Sequence, residues 1–271
     1  MKDLPLLGAA LRIDELETYL DWLVQDARDL EIQGFHAPAV LEIDWKAEAA
    51  KVKKLLANHK GRQGMHGTAS VPLASNDPGM RALAQERLNH NLDVAAEIGL
   101  TQVVIHSPYI HWDQENLYRY PHRQAEKLSD FIATMDPLVA RAETLGVQFV
   151  IENIEDRDPA IRRDIVTHFN SASLKLSIDT GHAYYAHYMG GAPMVDMFVR
   201  AAGDDLHHLH LQDADGFADR HWAIGDGTVP WAAVFEELAM ISSNPRLIIE
   251  IRNKADVIRS AEHLAKLGLA R

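Results

Sequence analysis

"TQVVIHSPYIHWDQENLYRYPHRQAEKLSDFIATMDPLVARAETLGVQFVIEN" runs from Thr101 to Asn153 and begins and ends on the same kind of segment. Gln102–His106 and Val147–Glu152 are short runs rich in β-branched and aromatic side chains, and each turns to an ionisable residue at its last position. Such runs are too short for helices and read as buried strands. Between them, "AEKLSDFIATMDPLVARAETLG" (Ala125–Gly146) carries apolar residues at a helical period. It ends in glycine, the common residue just past a helix C-terminus. Strand, loop, helix and strand in that order make a βα unit, whose two strands lie parallel because a helix-length crossover joins them.

The alternation continues in both directions. Strands are expected at Leu6–Ala9, Leu30–Gly34 and Arg62–His66 before this unit, and at Leu174–Asp179, Leu206–Leu211 and Leu247–Ile251 after it. Helical patterns such as "DWKAEAAKVKKLLANHK" (Asp44–Lys60), "MRALAQERLNHNLDVAAEIG" (Met80–Gly99) and "KADVIRSAEHLAKLG" (Lys254–Gly268) separate the strands. The first strand is short and follows Pro5. Eight parallel strands with intervening helices close most simply into a (β/α)8 barrel, with its active site at the C-terminal ends of the strands. The alternative is an open doubly wound sheet, but no G-x-G-x-x-G follows the first strand to favour it. With 271 residues, 47% of them hydrophobic, and no linker-like composition, residues 1–271 are expected to form one α/β domain.

The last inward position of six strands is where the chemistry gathers: His66, His106, Glu152, Asp179, His210 and Glu250. Side chains alternate faces along a strand, so Val104 shares a face with His106, Val150 with Glu152 and Ile248 with Glu250. One carboxylate after a strand is commonly a helix N-cap, and one histidine there is commonly just hydrogen-bonded. Six such endings on one barrel mouth are different, because burying several carboxylates together costs many kcal/mol unless a cation neutralises them. "IDTGHAYYAHYMGG" adds His182 three residues after Asp179, and "DADGFADRHWAIGDG" adds Asp219 and His221. The chain has no cysteine, so a metal would be held by imidazole and carboxylate alone, which suits manganese, cobalt, magnesium or zinc. His207 and His208, in "LHHLHLQD", read as structural neighbours. Gly225 and Gly227 are either ordinary turn glycines or positions that let the loop pass close to a ligand.

A net charge of −12 argues against broad attraction to nucleic acid, which is not an expected partner. No apolar run approaches the roughly 20 residues of a membrane helix, and the start of the chain does not read as a signal peptide. A cytoplasmic protein is the expectation, and a homodimer the expected assembly.

Together, "VIEN", "IDTGH", "HLQD", "DRHWAIGDG" and "IIE" resemble the xylose isomerase-like TIM-barrel superfamily. That group contains sugar isomerases and epimerases of the inositol-catabolism and tagatose-epimerase types, and the apurinic endonuclease called endonuclease four. The motifs cover Arg62 to Leu267. The resemblance implies that Glu152, Asp179, His210 and Glu250 hold one divalent metal, as in the epimerases, and that His182 contacts substrate. The endonuclease pattern implies up to three zinc ions, with Glu152 bridging two of them and His66, His106, His182, Asp219 and His221 as further ligands. The DNA-handling parts look absent: "GTASVPLASND" (Gly67–Asp77) offers no bulky wedge for the base stack, and "QGFHAPAVLEIDW" (Gln33–Trp45) has no arginine for phosphates.

The resulting expectation is a metal-dependent isomerase or epimerase of a small carbohydrate (a keto-sugar, an inosose or a sugar phosphate), acting by proton transfer through an enediolate with Glu152 and Glu250 as base and acid. The competing class is a polynuclear zinc phosphoesterase; a binding protein without turnover is the third. "SPYIHWDQENLYRYPHR" (Ser107–Arg123) is long enough for a lid. Trp112, Tyr118, Tyr120 and Trp222 either stack on a sugar or pack their own loops. Arg252 either holds an anionic substituent or pairs with an acidic neighbour.

Overall fold

Eight parallel strands close on themselves in sequence order, with the last pairing back to the first. They are β1 (Leu7–Arg12), β2 (Leu30–Gln33), β3 (Gln63–His66), β4 (Gln102–His106), β5 (Gln148–Glu152), β6 (Leu174–Asp179), β7 (Leu206–Leu211) and β8 (Arg246–Ile249). The computed structural model describes residues 4–37, 39 and 44–271. Part of the loop after β2, over which the absence of a phosphate-binding arginine was noted, lies outside the described residues. The expected (β/α)8 barrel is present, and the open sheet is excluded by the β1–β8 pairing.

The strand bounds differ from expectation at the ends. β1 runs to Arg12 rather than stopping at Ala9, because it keeps pairing with β2 as far as Arg12 opposite Gln33. β8 begins at Arg246 and ends at Ile249, although the Glu250 amide still donates to the Leu211 carbonyl at 3.0 Å. Glu250 therefore stands just past its strand but still in register.

Around the barrel lie ten helices among the described residues. The longest two show how the sequence starts and stops them. The helix at Pro78–Ile98 has Pro78 in its first turn, and the Asp77 carboxylate accepts from the Gly79 amide at 2.7 Å. It ends on Gly99, in the left-handed conformation that closes a helix without strain. The helix at Pro121–Leu145 starts on Pro121 and ends on Gly146 in the same way.

The outward side of the strands packs against these helices. Val103, Ile105, Phe149, Ile151, Leu209, Leu211, Leu247 and Ile249 are all buried there, each contributing roughly 1.5–3 kcal/mol. The inward side is apolar at Ala10, Val104, Val150 and Ile248, while Glu31, Ser177 and His208 form a buried polar link between the C-terminal mouth and the N-terminal floor. No helix among the described residues is long and apolar enough to cross a membrane.

Candidate functional site

The ionisable strand ends converge at the mouth. Glu152, buried on β5, has one carboxylate oxygen, Oε1, 2.8 Å from His210 Nδ1. Its other oxygen, Oε2, has no hydrogen-bond partner and lies 3.6 Å from His106 Nε2 and 3.9 Å from His66 Nε2. Glu250 Oε2 approaches the same His210 nitrogen at 3.4 Å from β8, and its Oε1 accepts from Gln33 Nε2 at 2.5 Å. Asp179, wholly buried at the end of β6, accepts from the His182 amide at 2.7 Å and so caps the helix at Thr180–Gly190. The cap reading and the site reading both hold for this residue: its carboxylate also faces Glu152 and Glu250.

All nine candidates fall into three groups whose ligand-type atoms lie within 4.8 Å of one another: His66, His106 and Glu152; Glu152, Asp179, His210 and Glu250; and His182, Asp219 and His221. His182 Nε2 and His221 Nε2 lie 3.4 and 3.1 Å from Asp219 Oδ1.

Backbone carbonyls fix which nitrogen each histidine presents. His66 Nδ1 donates to the Gly67 carbonyl, His182 Nδ1 to the Asn153 carbonyl and His221 Nδ1 to the Glu250 carbonyl. A carbonyl only accepts, so each of these rings keeps a proton on Nδ1 and turns Nε2 toward the cluster, the atom it would offer a metal once deprotonated there.

The electrostatics show how far these groups depend on one another. Burial pushes the Asp179 carboxyl up; His182 opposes this, while Glu152 and Glu250 reinforce it. Burial would also raise Glu152, but His210, His106 and His182 hold it below the usual carboxylate range. Burial alone would lower the His221 imidazole, yet Asp219, Asp179 and Glu250 push it up to about 9. His106 goes the other way, lowered by burial to about 4. Mutually repelling buried carboxylates, an unpartnered buried oxygen on Glu152 and pre-oriented imidazoles form a donor set that fits a divalent cation.

Several members were not picked out from the sequence. Glu31, buried on β2, lies 2.9 Å from His210 Nε2 and 3.2 Å from His208 Nε2. His208 is thus a neighbour of the site, as expected of it, with its Nδ1 2.8 Å from Ser177 Oγ. An acidic residue midway in "LEIQ" was the available signal for Glu31. Gln212 donates to Asp179 at 3.0 Å and to Asp219 at 3.1 Å, and accepts from the His221 amide at 2.6 Å. Gly181 is required by this glutamine, since a Cβ there would meet its side-chain amide at 2.3 Å. Arg162, wholly buried, donates to the Ile151 and Ser177 carbonyls and pairs with Asp156 at 3.2 Å, tying β5 to β6 beneath the mouth. Burial raises the Asp156 carboxyl to about 6 despite that pairing.

The two loop glycines resolve into packing. Gly227 makes room for the loop's own backbone, with a would-be Cβ 2.4 Å from the Ala214 carbonyl, and Gly225 packs on His263. They serve the loop fold, and Asp213 gathers that loop by accepting from the Gly225 and Val229 amides. Trp112 stacks on Tyr120 with centroids 6.2 Å apart, Trp222 lies under Arg220, and Tyr118 is exposed. The long segment after β4 is not a bare loop: it folds into a short helix at His111–Asn116 and a 3-10 turn at Leu117–Arg119.

The sequence profile of the xylose isomerase-like TIM barrel family matches residues 24–267. The match begins before β2 and so includes Glu31, which the motif resemblance starting at Arg62 did not. An uncharacterized protein of Methanocaldococcus jannaschii is 28% identical over 197 residues, covering 70% of this chain and 64% of that protein. One from Mycobacterium leprae is 26% identical over 65% of this chain and 64% of its own length. The chain thus spans a little under two thirds of each. Among solved structures, the Thermus thermophilus protein TTHB071, soaked with ZnCl2, superposes with a TM-score of 0.74 at 27% identity, covering 98% of this chain and 99% of that one. A D-tagatose 3-epimerase-like protein gives a TM-score of 0.77 at 22% identity, covering 96% of both chains. At that identity the second likeness is one of fold.

Proposed function

The chain belongs to the xylose isomerase-like TIM barrel family, and from that premise we propose that it is a single-domain, divalent-metal-dependent isomerase or epimerase of a small carbohydrate. The observation that carries this reading is the approach of Glu152 and Glu250 to one histidine nitrogen, at 2.8 and 3.4 Å, from strands on different sides of the mouth. Two carboxylates flanking one point are what a proton transfer between faces or neighbouring carbons of a sugar requires.

Glu152, Asp179, His210 and Glu250 would hold the ion, of the manganese, zinc, cobalt or magnesium type. When bound, it supplies Lewis-acid polarisation of a carbonyl and the adjacent hydroxyl. Glu152 takes the proton from the carbon that bears that hydroxyl, breaking the C–H bond. In an epimerisation Glu250, entering the step protonated, delivers that proton to the opposite face of the same carbon, leaving Glu152 protonated and Glu250 ionised until solvent re-equilibrates the pair; in an isomerisation Glu152 hands the proton it took to the neighbouring carbon. His182, with Nδ1 committed to the Asn153 carbonyl, offers Nε2 to the reacting oxygens.

Exchange of substrate C–H for solvent deuterium, followed by mass spectrometry across ketoses, inososes and their phosphates, tests the proposal. The expected result is wash-in of one deuterium with one metal ion per chain; no exchange with any substrate and metal would overturn it.

A second reading is favoured by one specific observation: the groups His66–His106–Glu152 and His182–Asp219–His221 exceed what one ion needs. A polynuclear phosphoesterase would use them, with Glu152 bridging and therefore no longer a free base. Two or three ions per chain, with cleavage of abasic-site DNA at catalytic protein concentration, would decide for it.

A further inference from the structure

Two cavities border the centre on opposite sides of the barrel. The one beside β4, about 440 Å³, is lined by His106, Val71, Leu73, Tyr109, Ile110 and Lys127. Its one cation is already paired, Lys127 with Asp113. The cavity beside β8, about 400 Å³, is lined by Glu250 and His221 together with Arg12, Gln33, Arg252 and Lys254. Three cations in one wall are notable in a chain of net charge −12.

Of the three, only Arg12 is in an ion pair among the described residues. Arg12 pairs with Glu15 at 2.8 Å and with Asp14 at 3.4 Å. Arg252 and Lys254 form no ion pair among the described residues, and the Lys254 ammonium has only the Gln33 Oε1 at 3.4 Å. The described residues therefore hold no ion-pair partner for Arg252. Lys254 is half-buried, and burial lowers its pKa even with Glu250, Glu15 and Glu31 opposing. Two like charges two residues apart, facing a cavity, are stabilised by an anion placed between them. A planar guanidinium and an ammonium together suit a phosphate or carboxylate, and loops after the last strands of such barrels commonly take phosphate groups.

We propose that the substrate carries an anionic substituent, a phosphate monoester or a carboxylate, held by Arg252 and Lys254 in the cavity beside Glu250. This rests on the reading that Glu250 belongs to the reacting centre, and it narrows the substrate class to acidic or phosphorylated carbohydrates. Gln33 joins the two sites, accepting from Lys254 and donating to Glu250. The anion is thereby set at a fixed distance from the carboxylate that handles the proton.

Calorimetric binding to the protein with its own metal complement tests this without turnover. The probes are D-fructose, D-fructose 6-phosphate and D-fructuronate, with wild type, the Arg252→Gln/Lys254→Gln double variant, and Arg123→Gln as a control outside the cavity. Wild type and control should bind at least one anionic ketose about tenfold or more tighter than fructose, as one or two charge-assisted hydrogen bonds imply. The double variant should lose that preference, binding all three probes within about twofold of one another. Which anion gains distinguishes phosphate from carboxylate. Equal binding of all three probes, no binding of either anion, or a preference that survives in the double variant would overturn the proposal. Failure of the proton-transfer reading would look different: the binding preference would persist while no ketose exchanged its C–H.

Discussion

The mouth and the floor of the barrel are built on the same inward faces of the same strands, yet they treat charge in opposite ways. At the floor, Gln102 donates to Gln148 at 3.0 Å, Gln148 donates to the Ala172 carbonyl at 2.7 Å, and Arg62 pairs with Asp29 at 2.5 Å. Arg246 donates to Thr101 at 2.6 Å, with one guanidinium nitrogen left unpartnered. At the mouth, Glu152, Asp179, Asp219 and Glu250 crowd together with five imidazoles. Cavity size does not separate the two ends: about 390 Å³ at the floor against about 400 Å³ beside Glu250. Chemistry does. The floor's polar groups are largely answered by hydrogen bonds and ion pairs, whereas the mouth's carboxylates repel one another and face imidazoles, a donor set that fits a divalent cation. Burial of charge is therefore informative only together with its partners.

The sharpest way to break this contrast is Glu152→Gln, which removes the one carboxylate shared by two ligand groups. C–H exchange should fall by about 10³-fold, within the usual range for a positioned base, while circular dichroism stays native. Retention of more than a tenth of the rate would remove Glu152 from the chemistry.

Next in size is Glu31→Gln, which weakens the hold on His210 from below. Equilibrium dialysis should show metal affinity reduced by about 10–100-fold, as for other groups that orient a metal-binding histidine. Unchanged affinity would reduce Glu31 to a packing residue.

Chelation should act on the whole protein. A metal at about 1,000 times its dissociation constant adds roughly 4 kcal/mol, so calorimetry should find the midpoint lower by about 8–16 °C after metal removal, at 2–4 °C per kcal/mol for a chain of this size. A midpoint indifferent to chelator would mean the mouth is balanced without an ion.

The smallest effect is expected at the floor. Arg246→Met removes a buried charge that has no carboxylate partner and keeps its bulk, so the change in stability should stay within about 1–2 kcal/mol. Exchange rate and metal content should remain within about twofold of wild type, since the Arg246 guanidinium donates to Thr101 and makes no ion pair with a carboxylate of the mouth. A large loss of either would erase the distinction between the two ends.

Much of this was legible from one βα unit. The alternation of "QVVIH" and "QFVIE" with an amphipathic helix is local, and period-two and period-3.6 patterns survive in a single sequence. His106, Glu152, Asp179 and Glu250 stood out because an ionisable residue ends an otherwise apolar run. Glu31 and Gln212 did not: the acidic residue midway in "LEIQ" is a weak signal by itself, and nothing near Gln212 separates it from an ordinary loop residue. Their importance comes from partners 179 and 33 positions away. Arg162 was missed for the same reason, its carbonyl acceptors lying on two different strands.

By itself, then, the sequence determined the barrel, its single layer of ionisable strand ends, and the exclusion of thiolate chemistry. Those follow from residue type and period, which need no knowledge of distant contacts. Tertiary structure alone decided that His66, His182 and His221 turn Nδ1 to a backbone carbonyl, that Glu152 keeps an unpartnered oxygen while Glu31 backs His210, and that Arg252 and Lys254 form no ion pair among the described residues. Hydrogen bonds and charges act through space over a few ångströms, and only closure of the eight strands sets those distances.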